Sequence, residues 1–433
     1  MKPESQLVLP LKVRFWDILV LSGNGCCPKK PRLTKKRTLS NNLFVKGLTL
    51  IITLFKKQIK MRAIILLFLS LAMLSCNARE QELPKDLIES EALNFTIDTL
   101  ATGLQNPWGM AFLPDGRILI AERPGNLRIF QDGKLLPEPV QGLPAIWAHG
   151  QGGLLDVVLH PNYNENKWIY IAYAAQGNPG TGNTAISRGK LVGNQLTEVE
   201  LLFQGQPFTG RPHHFGTRIV FDDNGYMYFT IGDRGDQNTA QDITNHHGTV
   251  MRFFDDGRVP TDNPFVNQAG ARPEIWSYGH RNIQGMALHP ITRELWAHEH
   301  GAQGGDEINL IKKGQNYGWP IATHGINYNG TVISSDTTLP GMIDPILHWT
   351  PSIAPCGLAF VTSSKYPGWQ NNMLVGALAG QHIHRVKIEN NKVVHTERML
   401  QGFARFRDIR QGPDGYIYVL TEGPGLFLRI VPW

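Results

Sequence analysis

The stretch Gly109-Met-Ala-Phe-Leu-Pro-Asp-Gly-Arg-Ile-Leu-Ile-Ala121 decides the fold, because its pattern recurs along the chain. An apolar run is followed by a Pro-Asp-Gly turn and by a second run of β-prone residues, which together predict a β-hairpin. The stretch Asp408-Ile-Arg-Gln-Gly-Pro-Asp-Gly-Tyr-Ile-Tyr-Val-Leu420 repeats this pattern near the C-terminus. Four further copies, with His-Pro, Asn-Gly or longer connections, begin at Leu154, Arg218, Gly285 and Gly357.

Six hairpin units spaced by roughly 45 to 70 residues are typical of the blades of a β-propeller with inserted loops. We therefore predict an all-β fold, a six-bladed β-propeller; a seventh blade stays open, because a weakly patterned unit leaves little trace. The 45 Gly and 28 Pro among 433 residues agree with many short strands. Blade loops meet at one end of the central channel, so a functional site there combines residues from distant positions.

The net charge of +6 is distributed unevenly along the chain. Residues 1–60 carry 13 Lys and Arg against two acids, so residues 61–433 have a net charge of −5. A mildly acidic body lacks a basic footprint, and we expect no nucleic-acid partner. Of the four Cys, only Cys356 lies beyond residue 76, which excludes a disulfide framework in that body.

The run Met61-Arg-Ala-Ile-Ile-Leu-Leu-Phe-Leu-Ser-Leu-Ala-Met-Leu-Ser-Cys76 has the basic start, short apolar core and small flanking residue of a secretory signal peptide. It is too short for a comfortable membrane span. Because signal peptides begin at the N-terminus, we predict that translation starts at Met61 and that residues 1–60 are a non-native upstream extension. The alternative is a genuine basic extension with a membrane-seeking run at residues 43–55.

The end of this signal resembles that of bacterial lipoproteins, whose Cys is lipidated after cleavage. The sequence thus predicts an exported protein, periplasmic or lipid-anchored to the envelope, with membrane contact only through Cys76. The predicted order is the extension at 1–60, the signal peptide at 61–76, a polar tether at 77–92 and the propeller at 93–433.

Two polar motifs in predicted loops could carry chemistry. His213 and His214 are adjacent in a turn-rich segment, and imidazole suits general-base work because its pKa lies near neutrality. Arg281 offers a planar donor fork for a carboxylate, and Asn282 adds a donor and an acceptor. The alternatives are an ordinary surface loop for the His pair and an Arg that ties one blade to the next.

Two further motifs indicate charged ligands. Arg405 and Arg407 would face the same side of a strand, which favours a bound anion or an acidic partner, with a solvated strand face as the alternative. In the Gly-rich loop 298–309, Asp306 and Glu307 supply oxygen ligands that suit calcium. The two His of that loop lack a third ligand at a zinc-like spacing, and a purely structural loop is the other alternative.

Together these motifs resemble the soluble aldose sugar dehydrogenases that depend on pyrroloquinoline quinone (PQQ), the glucose/sorbosone dehydrogenase family. The resemblance extends from about residue 95 to the C-terminus. It rests on collinear strings that include Gly150-Gln-Gly-Gly-Leu-Leu-Asp-Val, His214-Phe-Gly-Thr-Arg, Ile231-Gly-Asp-Arg-Gly-Asp, Glu274-Ile-Trp-Ser-Tyr-Gly-His-Arg-Asn, Gly304-Gly-Asp-Glu-Ile-Asn, Asn316-Tyr-Gly-Trp-Pro and Gly412-Pro-Asp-Gly-Tyr.

The resemblance implies oxidation of an aldose sugar at C1 to the lactone, with hydride transfer to PQQ, His214 as general base, and an unidentified electron acceptor. It places calcium at Glu307 and Tyr317. It assigns PQQ binding to Gln151, Arg281, Asn282, Tyr328, Arg405 and Arg407.

One departure from the family pattern concerns Ala379, because relatives have a Lys there that reaches the quinone. Gln381 and His382 are the neighbours that could substitute for this cation. Two other activities stay open: a calcium-dependent propeller lactonase, which would not need three convergent Arg, and a non-catalytic propeller that serves as a binding module.

Overall fold

The computed structural model describes residues 86–433. The predicted upstream extension, the signal peptide and Cys76 lie outside the described residues, as does most of the predicted tether. Among residues 86–433, no helix has the length and apolar character needed to cross a membrane.

The described chain forms six four-stranded antiparallel sheets, which confirms the predicted six-bladed β-propeller. The strands of the first three blades are β2 (Pro107–Phe112), β3 (Ile118–Glu122), β4 (Asn126–Gln131) and β5 (Lys134–Leu135); β6 (Leu154–Leu159), β7 (Trp168–Gln176), β8 (Gly182–Val192) and β9 (Gln195–Gln204); and β10 (Ile219–Phe221), β11 (Met227–Ile231), β12 (Thr249–Phe253) and β13 (Ile275–Tyr278). Those of the last three are β14 (Ile283–Leu288), β15 (Leu295–Glu299), β16 (Asp306–Ile311) and β17 (Leu347–Trp349); β18 (Pro355–Phe360), β19 (Met373–Ala377), β20 (Ile383–Glu389) and β21 (Lys392–Met399); and β22 (Arg405–Gln411), β23 (Ile417–Glu422), β24 (Phe427–Pro432) and β1 (Phe95–Ala101).

Each predicted hairpin unit forms the first two strands of a blade, and the first strands surround the central channel. The last blade combines both ends of the propeller, because β1 pairs with β24 as its outermost strand. Helical structure within the described residues is limited to one α-turn, Tyr163–Asn166, and a 3-10 helix, Gln237–Gln241. Apolar side chains between neighbouring sheets form the core.

A one-residue bulge recurs near the start of the innermost strand in five of the six blades. A bulge leaves one residue out of the ladder and redirects its side chain. Four of the unpaired residues line the end of the channel where these strands begin: Trp108, Leu155, Gln284 and Arg407.

Deeper in the channel, two arginines and two aspartates form an ionic network. Arg218 Nη1 lies 2.9 Å from Asp408 Oδ1 and 3.6 Å from Asp156 Oδ1. Arg410 Nε donates to Asp408 Oδ2 at 2.9 Å, and its Nη2 contacts Asp156. The amide of Ile219 also donates to Asp156 at 3.0 Å. The network therefore joins the inner strands of three blades. Its two arginines and two aspartates have no net charge.

We expect Asp156→Asn to lower the free energy of unfolding by about 3–5 kcal/mol, because it leaves two buried guanidinium groups with one carboxylate. Asp98→Asn is the matched control, since Asp98 forms an exposed ion pair with Arg429 that is worth about 1 kcal/mol or less. Guanidinium unfolding of both variants tests this, and equal losses would contradict the importance of the network.

Candidate active site

A cavity of about 380 Å³ occupies the channel end where the innermost strands begin. Such a volume lies within the range of about 300–1,000 Å³ that is usual for small-molecule sites. Residues from all six blades contribute to its wall. They include Trp108, Arg123, Gln151, Leu155, Phe215, Asn282, Gln284, His300, Leu378, Arg405, Arg407 and Glu422.

The structure brings most of the predicted site residues together in two cavities. Four of them line the first cavity: Gln151, Asn282, Arg405 and Arg407. A second cavity of about 300 Å³ is lined by three more of them, His214, Arg281 and Tyr328. Asp233 and Trp319 also line this second cavity. Glu307 lines a small void that adjoins both cavities. The void shares Arg281 with the second cavity and His300 with the first.

His214 is held in one orientation by its neighbours. Its Nδ1 lies 2.6 Å from Asp233 Oδ1, and its backbone amide donates to Gln151 Oε1 at 2.9 Å. Its backbone adopts the left-handed region, with φ of 55°. Its Nε2 makes no hydrogen bond with any described residue, whereas the neighbouring His213 is exposed. The geometry therefore leaves one imidazole nitrogen of His214 available to a ligand.

Asp233 fixes the tautomer of this histidine. It is buried, and its Oδ2 accepts a hydrogen bond from Trp319 Nε1 at 2.8 Å. Burial opposes ionisation of Asp233, but the hydrogen bond with His214 leaves its pKa below the usual value. Burial also lowers the pKa of His214, against the effect of Asp233. His214 is thus neutral at pH 7, with its proton on Nδ1 and its lone pair on Nε2.

Asp233 was not predicted to be a site residue, although it lies in the string Ile231-Gly-Asp-Arg-Gly-Asp. Nothing in this Gly-rich string indicates that the Asp233 carboxylate pairs with His214, which is 19 residues away.

Glu422 is the acidic partner of the late Arg pair. Arg407 Nε donates to Glu422 Oε1 at 2.8 Å, and Arg405 Nη2 donates to Glu422 Oε2 at 3.3 Å. The two guanidinium groups therefore coexist without a bound anion, because Glu422 is their acidic partner. Both still line the first cavity, together with Arg123. Three guanidinium groups and one carboxylate leave this cavity with a net charge of +2.

Arg281 and Asn282 lie side by side at the start of β14 but face different partners. The backbone amide of Arg281 donates to Glu299 Oε2 at 2.5 Å, and its Nη1 donates to the carbonyl of His300 at 3.1 Å. Asn282 Oδ1 accepts a hydrogen bond from the amide of Gly216 at 3.2 Å, which leaves its NH₂ group for a ligand. Tyr328 is 75% exposed at the mouth of the second cavity.

Glu307 has the surroundings of a cation ligand. Burial, followed by the charge of Glu299, raises its pKa well above the usual range. Asn309 Nδ2 donates to Glu299 and Glu307 at 3.1 Å each, and the Oδ1 of Asn309 is buried without a partner. Two neighbouring carboxyl groups supply hard oxygen donors of the kind that calcium prefers.

Tyr317 can contribute to such a site only through its main chain. Its hydroxyl donates to the carbonyl of Leu310 at 2.6 Å and accepts from the amide of Lys312 at 2.8 Å. Within the described residues, no three His, Cys, Asp or Glu side chains converge as metal ligands.

The position of Ala379 is exposed and follows Leu378, which lines the first cavity. Neither Gln381 nor His382 lines that cavity. His382 is buried, and its Nδ1 lies 2.9 Å from the carbonyl of Gly380. These two neighbours therefore do not replace the missing Lys.

The site combines a histidine held by a buried carboxylate with a neighbouring cation-lined cavity in a six-bladed propeller. Residues 104–429 match the family model for glucose/sorbosone dehydrogenase. The aldose sugar dehydrogenase of Escherichia coli is 43% identical over 343 residues, which cover 78% of this chain and 92% of that protein. The chain therefore belongs to the glucose/sorbosone dehydrogenase family, which confirms the resemblance and the prediction of an oxidoreductase.

Solved structures agree with this family. The soluble aldose sugar dehydrogenase of Escherichia coli in its apo form superimposes with a TM-score of 0.76 at 41% identity, covering 78% of this chain and all of the other. The PQQ-bound aldose sugar dehydrogenase of Streptomyces coelicolor has a TM-score of 0.64 at 27% identity, covering 78% of this chain and 98% of the other.

We expect His214 to titrate below its usual pKa of 6.5 and Asp233→Asn to lower that pKa further, because the Asp233 carboxylate stabilises the imidazolium. Histidine C–H signals followed by NMR across pH give both values, and His213→Gln assigns the neighbouring signal. A higher pKa in Asp233→Asn would show that the carboxylate does not support His214.

Proposed function

We propose that this enzyme oxidises aldose sugars at C1 to lactones with PQQ and calcium, and passes the electrons to a separate acceptor. The observation that carries the proposal is the free Nε2 of His214, held by Asp233 next to a cation-lined cavity. The Escherichia coli and Streptomyces coelicolor relatives are aldose sugar dehydrogenases, which supports aldose sugars as substrates, and the PQQ-bound form of the Streptomyces coelicolor enzyme supports PQQ.

The residues of the first cavity fit PQQ in charge and size. Three carboxylates on an aromatic quinone match a cavity with a net charge of +2 and several unpaired N–H donors. Arg405, Arg407 and Asn282 would hold the carboxylates and carbonyl groups, while Gln151 and Arg281 border the side that faces His214. When bound, PQQ accepts a hydride from the sugar, and calcium polarises the reacting carbonyl.

His214 supplies the proton chemistry. Its neutral Nε2 takes the proton of the sugar's C1 hydroxyl, while Nδ1–H remains on Asp233 and stabilises the imidazolium that forms. Asp233 is buried, whereas His214 is half-buried and lines the second cavity, so a ligand there can reach its Nε2. Tyr328, which the family resemblance assigns to PQQ binding, presents its exposed ring at the mouth of the second cavity, where it would also border the sugar.

The void beside Arg281 is our proposed calcium site. Burial and the neighbouring Glu299 raise the pKa of Glu307 and so disfavour its ionisation, and no cation of the described residues forms an ion pair with it. A divalent cation there would compensate for both carboxylates. The ligands would be Glu307 and the main-chain carbonyl of Tyr317, which accepts no hydrogen bond from a described residue.

The two alternatives explain fewer of these features. A calcium-dependent lactonase needs acidic ligands in the channel, but the channel carboxylates Asp156, Asp408 and Glu422 are all paired with arginines. A binding module has no need for the buried pair of His214 and Asp233. We further propose that the enzyme is exported and reaches the envelope through a lipid on Cys76.

We expect His214→Gln to lower kcat by at least about 100-fold while PQQ still binds, because proton removal belongs to the transition state. Dye reduction by the PQQ- and calcium-loaded enzyme with an aldose measures kcat. The wild-type rate should fall as pH drops through the pKa of His214, below 6.5. His213→Gln is the control, and a large loss there with a mild effect in His214→Gln would move the base by one residue.

We expect calcium to stabilise the wild type but not Glu307→Gln. Saturation at 100 times Kd adds about 2.7 kcal/mol to the stability of a protein that binds only when folded. Without calcium, Glu307→Gln should be at least as stable as the wild type, because it removes repulsion from Glu299. Thermal unfolding with and without calcium measures this, with the exposed Glu138→Gln as control. An equal calcium response in both variants would place the cation elsewhere.

A further inference from the structure

Arg123 is a cavity residue whose role neither the motifs nor the family resemblance assigns. It follows β3 directly, in the turn Arg123-Pro124-Gly125 of the first blade, and its half-buried side chain lines the first cavity. Its Nη1 donates to the carbonyl of Gly150. A guanidinium group has five N–H donors. Its Nε and Nη2 make no hydrogen bond within the described residues, which leaves donors for a ligand.

The charge of Arg123 is uncompensated, unlike that of the other two guanidinium groups in the cavity. Arg405 and Arg407 share Glu422, so that trio carries a net charge of +1. No carboxylate of the described residues forms an ion pair with Arg123. Since position 379 is an alanine, Arg123 is the cavity's one cation without an acidic partner in the described part of the chain.

The backbone of Arg123 is also fixed before a ligand arrives. Its amide donates to the carbonyl of Asn106, and its carbonyl accepts from the amide of Leu154, both at 3.1 Å. Cations held in place lose little freedom on binding, which favours affinity.

We propose that Arg123 is a cofactor-binding residue, which donates from Nε and Nη2 to a carboxylate of the anionic quinone and supplies the cation that is missing at position 379. This inference rests on the proposed function, because the ligand is the cofactor named there. It assigns to a turn of the first blade the role that the family resemblance gives to a Lys at position 379 in the fifth.

The test is a titration of calcium-loaded apo-protein with PQQ, followed by quenching of tryptophan fluorescence, at low and high salt. A lost charge-assisted contact weakens binding by about 10- to 100-fold, so we expect that loss in Arg123→Gln. The loss should shrink at high salt, because screening weakens the wild-type contact. Arg258→Gln removes the same charge from an exposed side chain and should leave the affinity unchanged.

Arg123→Lys distinguishes a contact between residue 123 and the cofactor from the hydrogen bond that Arg123 donates to the carbonyl of Gly150. Retained, salt-sensitive affinity in Arg123→Lys with loss in Arg123→Gln would support the proposal. An unchanged PQQ affinity in Arg123→Gln would overturn it. The proposal would also be overturned if both variants lost the same PQQ affinity and kept the salt dependence of the wild type. Absence of PQQ binding by the wild type would instead refute the proposed function. Circular dichroism of each apo-variant verifies folding, and Arg123→Lys decides if Arg123→Gln does not fold.

Discussion

The ionic network in the central channel is the interaction on which the site depends. Arg218 is almost fully buried, and besides its aspartate partners it donates to the carbonyl of Gln284 at 2.8 Å and to that of Arg407 at 3.1 Å. Its guanidinium carbon also lies 4.1 Å from the ring centroid of Trp108. Gln284, Arg407 and Trp108 are bulge residues that line the first cavity. One buried cation, neutralised by Asp156 and Asp408, therefore closes the channel and positions the floor of the cavity above it.

Two regions of different chemistry lie next to each other above that floor. The first cavity has an excess of guanidinium groups, and the adjoining void contains the carboxyl groups of Glu299 and Glu307 beside Arg281. His300 borders both, and burial lowers its pKa well below the usual value, so it adds no charge to either. Ionised groups that are buried without partners are costly. Under the proposed function, an anionic cofactor would compensate for the guanidinium groups, and a divalent cation would allow both carboxyl groups to ionise.

The sequence was sufficient for the fold and for part of the site. Hairpin patterning gave six blades, because turn residues and strand alternation are local signals. Family strings identified residues such as His214 and Arg281. What they missed are partners that only the closed ring brings together: Asp233, Glu422 and Arg123. Bulges were also missed, since a single unpaired residue does not disturb the hydrophobic pattern. Tyr317 shows the opposite case. The motif marked this residue as a metal ligand, but its hydroxyl already forms hydrogen bonds with the backbone of Leu310 and Lys312.

A chain of contacts connects Arg123, the cation of the first cavity without an acidic partner in the described part of the chain, to His214. Arg123 holds the carbonyl of Gly150, and the next residue, Gln151, accepts from the amide of His214. His214 in turn bonds to Asp233, which Trp319 anchors. The left-handed backbone of His214 is tolerated because these partners hold it from both sides. A shift of the loop at residues 150–153 would therefore move His214 as well as a wall of the first cavity. His214 and the first cavity thus form one preorganised unit.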